Sequence, residues 1–302
     1  MTAHVDNTEE FQLTATDGTR LFVRDWPLAP SAVLSAASAG GSSQGNSSGV
    51  LIMHGLGEHC GRYAHVARFF NALGFTVRTY DHRGHGQSDG ARGDVPDGEA
   101  MLRDARLVIN DFSKQLHAPP ILFGHSMGGL FAARFATAGL APLRALILSS
   151  PALAIRMSGF QSALLKVLCL LVPGVGIPNG LKTRFLSHDA EVIEAYENDG
   201  LVHGKVTARL LNSMLQAMKY AHDRAAQLTM PVLLLVAEED HLVDPVGSKR
   251  FFASLPGTSA KAIYYDNFYH EIFNELDACR VFEDLCGWLV QKHLIPTNAS
   301  NT

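Results

Sequence analysis

The sequence predicts an α/β domain built on a mainly parallel, eight-stranded sheet flanked by helices, with a helical cap inserted into it. Three observations predict this. From Val50 onward, short apolar runs alternate with longer stretches of helical periodicity, the pattern of a parallel sheet covered on both faces. The alternation lapses once, over about 151–227, just after a strand end, where an insertion would cover a site at the carboxyl edge of the sheet. Finally, Gly124-His125-Ser126-Met127-Gly128 stands between an apolar run and a helical one, where the chain must turn sharply from strand into helix.

Taken in order, residues 11–15 and 21–26 flank Thr16-Asp17-Gly18-Thr19 and read as a β-hairpin with Asp-Gly at its turn. Residues 29–49 are Ala, Ser and Gly with almost no charge, the composition of a flexible surface loop. Strands are expected over 50–53, 76–80, 121–123, 145–148, 232–236 and 262–265. Helices are expected over 63–73, 99–115, from about 130 onward, over 245–254, and over 282–294, where an amphipathic pattern closes the domain. The insertion has a helical pattern interrupted by Pro173, Pro178 and several glycines. Its segment 160–172 is apolar nearly all round. That segment either packs on the main domain, or walls an acyl-chain tunnel and touches lipid.

Composition bounds the function. The chain of 302 residues is 47% hydrophobic and 18% charged, enough for one domain with a sizeable core. A net charge of −4 argues against nucleic acid as a partner, which would call for a basic stripe. Residues 1–10 lack the basic and apolar regions of a secretory signal. The longest apolar run, 163–172, carries Lys166 and stops at Pro173-Gly174, short of the roughly 18 residues a membrane span needs. Cys60, Cys169, Cys279 and Cys286 have no metal-ligand spacing and suggest a reducing compartment. Together these features point to a cytoplasmic protein, with peripheral membrane attachment as a second reading.

The elbow makes Ser126 the candidate nucleophile, held on a strained corner that only flanking glycines permit. A serine hydroxyl needs a base, and the base needs an orienting acid, in the chain order Ser, acid, His for this class of fold. Asp240 lies where the chain leaves the strand at 232–236, whereas Asp244, followed by Pro245, suits the cap of the next helix. Glu238 and Glu239 stand nearer the strand end, with less reach. His270 follows the last strand, where the base belongs. The backbone N–H groups of Met127 and Leu56 are the candidate oxyanion donors, Leu56 lying in the loop His54-Gly55-Leu56-Gly57 after the strand at 50–53. His82 and His85 lie in a Gly-rich turn and read as structural, with no metal.

These residues carry a resemblance. His54-Gly55-Leu56-Gly57-Glu58-His59 with Arg62-Tyr63, then Asp81-His82-Arg83-Gly84-His85-Gly86-Gln87-Ser88-Asp89-Gly90, then Gly124-His125-Ser126-Met127-Gly128-Gly129 resemble the monoacylglycerol lipases of the α/β-hydrolase superfamily, in its serine aminopeptidase and lysophospholipase-like branch. Asp240 and Tyr269-His270 match that family's acid and base. The likeness runs over about 11–289 and weakens at 29–49 and within the cap. It implies an α/β-hydrolase fold, a lipid ester substrate cleaved through an acyl-enzyme, transient contact of the cap with a membrane surface, and no cofactor or metal. It also implies that Glu58, Arg62 and His125 help bind the glycerol moiety, although Glu58 and Arg62 could equally pair with each other to fix their loop. Where the family often has a second histidine after the catalytic one, this chain has Phe273. A carboxylesterase or lysophospholipase with the same triad is the alternative reading. A non-catalytic binding protein of this fold is a third, set against the presence of all three triad residue types. A haloalkane dehalogenase is disfavoured, since its elbow would carry Asp.

Overall fold

In the computed structural model, which describes residues 8–28, 48–257 and 259–296, the strands are β1 (Glu9–Thr14), β2 (Arg20–Trp26), β3 (Ser48–Met53), β4 (Phe75–Tyr80), β5 (Ile121–His125), β6 (Ala145–Ser149), β7 (Gly176–Pro178), β8 (Lys205–Thr207), β9 (Val232–Ala237) and β10 (Ala260–Tyr265). The helices are α1 (Ala64–Ala72), α2 (Ala100–Ser113), α3 (Ser126–Thr137), α4 (Gly159–Leu171), α5 (Ala190–Glu197), α6 (Ala208–Arg224), α7 (Pro245–Ala253) and α8 (Ala278–Gln291). An eight-stranded sheet runs in the order β1-β2-β4-β3-β5-β6-β9-β10. β2 pairs antiparallel with both its neighbours, and every other pairing is parallel. This is the mainly parallel sheet that the alternation predicts, in the arrangement of the α/β-hydrolase fold that the resemblance implies.

The central strands are apolar throughout because both of their faces are covered. In β3, Leu51 and Met53 join the core under α2, α3 and α6, whereas Val50 and Ile52 face the opposite core with α1 and α8. β5 and β9 divide in the same way, Leu122 and Leu234 to one side, Phe123 and Leu235 to the other. The parallel strands β3, β5, β6, β9 and β10 all end at one edge, so the loops after β3, β5, β9 and β10 meet there.

The segment 151–227, expected to be an inserted helical cap, also contains strand. β7 and β8 form a separate antiparallel ribbon, Gly176 opposite Thr207, too short to leave a periodic trace in the sequence. α4 opens with a capping box: the Ser158 hydroxyl accepts from the Gln161 N–H, and the Gln161 side chain accepts from the Ser158 N–H. α6 is capped by Thr207 and buries Leu210, Met214, Ala217 and Ala221 in the core shared with α3. Of the segment 29–49 only Ser48 and Gly49 are among the described residues, and they open β3. α8 lies at 278–291 rather than 282–294: the chain leaves the helix at Lys292, and His293 takes a φ of 52°.

Candidate active site

Ser126 begins α3 directly after β5 and has a φ of 54°, the left-handed region that a non-glycine residue occupies only at a cost of about 1–3 kcal/mol. The flanking glycines make this corner possible. A Cβ at Gly128 would overlap the carbonyl oxygens of Met53 and His54, and one at Gly124 would sit 2.6 Å from the Gly128 carbonyl oxygen. The turn thus lets β5 and α3 close on β3 while presenting the serine side chain at the sheet edge.

Two other loops reach that side chain. His270 Nε2 lies 2.8 Å from Ser126 Oγ, and His270 Nδ1 lies 2.6 Å from Asp240 Oδ2. Since the Asp240 carboxylate can only accept, Nδ1 carries the proton and Nε2 is left to accept from the serine hydroxyl. Asp240 is further fixed by the Leu242 and Val243 N–H groups at 2.8 and 2.9 Å. Burial disfavours the His270 imidazolium, but the Asp240 carboxylate beside it outweighs burial and raises the His270 pKa above its usual 6.5. Burial acts on Asp240 in the opposite sense and is likewise outweighed, by His270 and the two N–H donors, so its carboxyl is held below the ordinary range. Asp244 does something else: it caps α7 through the Val246 N–H at 3.2 Å and pairs with Arg156 at 3.1 Å.

Leu56 and Met127 line the same cavity as Ser126. The Met127 N–H is in the first turn of α3, where no intrahelical carbonyl is available, and among the described residues the Leu56 N–H makes no backbone hydrogen bond. Neither N–H thus has a backbone acceptor among the described residues.

The loop carrying Leu56 is braced from below. Glu58 Oε1 accepts from the Gly55 N–H at 2.5 Å and the Tyr63 hydroxyl at 2.6 Å, and its Oε2 accepts from Arg62 at 2.6 Å. Arg62 also makes a two-pronged pair with Glu271 at 2.6 and 2.7 Å, and its guanidinium stacks 4.7 Å over the Tyr196 ring of the insertion. Burial would raise the Glu271 carboxyl, but Arg62 overrides it and holds the pKa at about 2. Glu271 follows His270 directly, so one buried charge network ties the Leu56 loop to the His270 loop. Neither Glu58, Arg62 nor His125 is among the residues lining the cavity, and Glu58 and His125 are buried. His125 packs its ring 4.7 Å from that of His270, places Nδ1 3.1 Å from Ser149 Oγ, and is kept neutral by burial and by the nearby His270, its pKa lowered to about 3. Phe273 is core, edge-on to Phe123 and Phe282.

His82 and His85 sit under the same loop. The His82 N–H donates to His54 Nε2 at 2.9 Å, which leaves His54 Nδ1 to donate to the Gly55 carbonyl at 2.8 Å. The imidazoles of His54 and His82 are 4.4 Å apart, and those of His85 and His203 are 4.6 Å apart. Burial keeps them neutral, lowering His82 to about 3. The His203 N–H donates to the Gly57 carbonyl at 2.8 Å, so the segment 151–227 is tied to the Leu56 loop at this point.

The cavity over Ser126 has a volume of 690 Å³. Its walls are Ile155 and Met157, then Leu164, Leu165 and Leu168 of α4, with Leu211 and Met214 of α6. The cavity beside Ser126 is thus walled largely by apolar side chains.

Comparison with known proteins agrees with this architecture. The profile of the family described as serine aminopeptidase, S33 matches residues 45–277. The monoacylglycerol lipase of Mycolicibacterium smegmatis is 34% identical over 80% of this chain and 87% of its own length. An uncharacterised abhydrolase domain-containing protein of Dictyostelium discoideum is 33% identical over 80% of this chain, which spans only 26% of that longer relative. The crystal structure of Paleococcus ferrophilus monoacylglycerol lipase superposes with a TM-score of 0.75 at 35% identity, covering 82% of this chain and 97% of that one. The chain belongs to the serine aminopeptidase S33 family of α/β-hydrolases, alongside the monoacylglycerol lipases.

Proposed function

We propose that this carboxylic ester hydrolase cleaves monoacylglycerols to fatty acid and glycerol through an acyl-enzyme. Ser126 Oγ attacks the ester carbonyl while His270 Nε2 takes its proton. The negative charge that develops on the carbonyl oxygen is met by the Leu56 and Met127 N–H groups. Collapse of that intermediate expels the glycerol oxygen, which takes the proton back from His270. Water, deprotonated by His270, then attacks the acyl carbon and releases the fatty acid and the free serine. Asp240 holds the imidazole in the right tautomer and stabilises its cationic form. Glu58 and Arg62 act by fixing the Leu56 loop against the His270 loop, and His125 supports His270 from behind.

The observation that carries this reading is the hydrogen-bonded line from Asp240 through His270 to Ser126, opening into an apolar cavity. The lipase relatives support the choice of a lipid ester. Each methylene buried in such a cavity contributes about 0.8 kcal/mol, so the acyl chain dominates binding. The exposed apolar side of α4, with Phe160 77% and Leu170 81% exposed, suits transient contact with the lipid surface that presents the substrate. No helix among the described residues is long and apolar enough to cross a membrane.

A fluorophosphonate probe should label the native protein at Ser126 and leave Ser126→Ala unlabelled. Undiminished labelling of the variant would refute the site. A rate profile over monoacylglycerols, lysophospholipids and short p-nitrophenyl esters tests the substrate; a steep preference for acetate or butyrate would defeat the long-chain reading in favour of a simple carboxylesterase.

A further inference from the structure

The loop that carries the base is gripped by a carboxylate that takes no part in the steps above. Glu275 is buried, and its hydrogen bonds reach two separate stretches of chain. Within its own loop, Oε1 accepts from the Tyr269 N–H at 2.7 Å and Oε2 from the Leu276 N–H at 3.3 Å. From the segment 183–189, the His188 N–H donates to Oε2 at 3.2 Å, and His188 Nδ1 lies 2.9 Å from Oε1. A carboxylate only accepts, so Nδ1 carries the proton. The His188 ring in turn stacks on that of Tyr269, with centroids 3.7 Å apart and planes 19° apart.

Three more bonds run along the same seam. The His270 N–H donates to the Phe185 carbonyl at 3.3 Å, and the Glu271 N–H to the Leu186 carbonyl at 2.8 Å. The Ser187 hydroxyl donates to the Asn274 carbonyl at 2.8 Å. The base loop is thus held on both sides of His270 by one short stretch, 185–188. Asp240 fixes the direction of the imidazole through Nδ1, but not the backbone from which it projects. Tyr269 immediately precedes His270, and among the described residues its N–H has no backbone acceptor. Glu275 supplies one instead.

From this arrangement we infer that Glu275 is a positioning residue for the reaction: with His188 as its second hold, it sets the backbone at His270 so that Nε2 meets Ser126 and Nδ1 meets Asp240. This inference rests on the ester-hydrolase mechanism above. Neither Glu275 nor His188 lines the cavity, so neither acts by touching substrate. A displacement of about 1 Å at a reacting group costs on the order of 100-fold in rate. The clasp therefore acts on the chemical step and not on binding.

The test compares the native protein with Glu275→Ala, Glu275→Gln and His188→Ala on a short p-nitrophenyl ester, each well below its melting transition. Glu275→Ala should lower kcat by about 100-fold with KM little changed. Glu275→Gln should recover about tenfold of that loss, because an amide oxygen still accepts from the Tyr269 N–H. His188→Ala should lose about tenfold. The His188 side chain is 34% exposed, so this variant tests the clasp even where Glu275→Ala fails to fold. The pH profile separates placement from stability. The groups facing His270 are Asp240, Glu271, Glu58 and His125, and none is altered in these variants. Burial lowers the His270 pKa, and Asp240 more than offsets it, raising it above 6.5. A base loop that slips loses part of that contact, so the midpoint of kcat/KM should fall toward 6.5 in Glu275→Ala and His188→Ala. An unmoved midpoint, or a loss carried by KM alone, would overturn the inference and leave the hydrolase reading standing. Absence of ester turnover by the native protein would overturn both.

Discussion

The loops beneath Ser126 and the helix above it are built from opposite materials. Beneath, Glu58, Arg62, Glu271 and Tyr63 form a buried network of short hydrogen bonds that joins the Leu56 loop to the His270 loop. Above, α4 contributes Leu164, Leu165 and Leu168 to the cavity on one side and exposes Leu170 on the other. A charge network has one good geometry and resists displacement, because every broken pair leaves a buried charge. An apolar helix has many nearly equivalent positions, because its contacts are non-directional. On this contrast the lower region sets the rate of the chemistry and the upper region sets which chains enter. Substitutions below should act on kcat for every ester; substitutions above should act on selectivity and spare the shortest substrates.

The largest expected effect comes from Ser126→Ala, which should lower kcat by about a million-fold on long and short esters alike. The variant should still bind long-chain lipid, measurable by calorimetry, because the cavity is untouched. Asp240→Asn follows, with a loss of about ten thousand-fold, since the amide holds His270 in the wrong tautomer. A loss confined to long-chain substrates in either variant would break the division between the two regions. Arg62→Met comes next. It strands Glu58 and Glu271 as buried unpaired carboxylates, so stability should fall by about 3–5 kcal/mol in denaturant melts. Its kcat should fall on acetate and on long-chain esters by similar factors, because the Leu56 loop loses its brace.

Acid separates two kinds of histidine in the lower region. The His270 pKa is raised above 6.5, so its base form, and with it kcat/KM, should rise with pH through a midpoint above 6.5. His82 and His125 are instead depressed to about 3 in the fold. Their unfolded forms take up protons below about 6.5 while the folded forms do not. Their contribution to stability is therefore complete above pH 6.5 and lost progressively as the pH falls toward 3. Thermal melts between pH 7 and 4 should show Tm falling with acid, and His82→Phe should flatten that slope. An unchanged slope in this variant would mean other groups control acid unfolding.

How much of this was legible in the sequence follows the same division. The sheet was, because β3, β5, β6 and β9 are buried on both faces and leave unbroken apolar runs. Ser126, Asp240 and His270 could be chosen because each stands just past a strand end, and parallel strands bring their ends to one edge. Asp244 could be set aside because a following proline is a local signal for a helix start. Glu271 was not singled out, although it adjoins His270, since its partner Arg62 lies in a different loop and only the folded chain brings them together. For Glu58 and Arg62 the residue types alone were compatible with binding a glycerol or with pairing. The ribbon of β7 and β8 was missed because three-residue strands carry no period. α4 was visible as an apolar helix, but its all-round hydrophobicity could not say which side faces the cavity.

The smallest and most selective effect belongs to that helix. Leu165 is buried and lines the cavity, whereas Leu170 is 81% exposed and is not among the lining residues. Leu165→Trp adds volume inside the cavity and should exclude the distal part of a long acyl chain. Each methylene that loses its burial costs about 0.8 kcal/mol, or roughly fourfold in kcat/KM. The optimum chain length should therefore shift down by a few carbons, with hydrolysis of acetate and butyrate esters little changed. Leu170→Asp adds a charge on the outer side and leaves the cavity volume alone. It should keep the native chain-length profile on dispersed substrate and slow turnover only where the substrate sits in vesicles. If both variants shift the profile equally, α4 does not present two separate sides to chain and solvent, and the contrast between a rigid floor and an adaptable roof loses its upper half. If neither shifts it, the acyl chain is held by Leu211 and Met214 of α6, which share the main-domain core, and selectivity would then be as rigidly built as the chemistry beneath it.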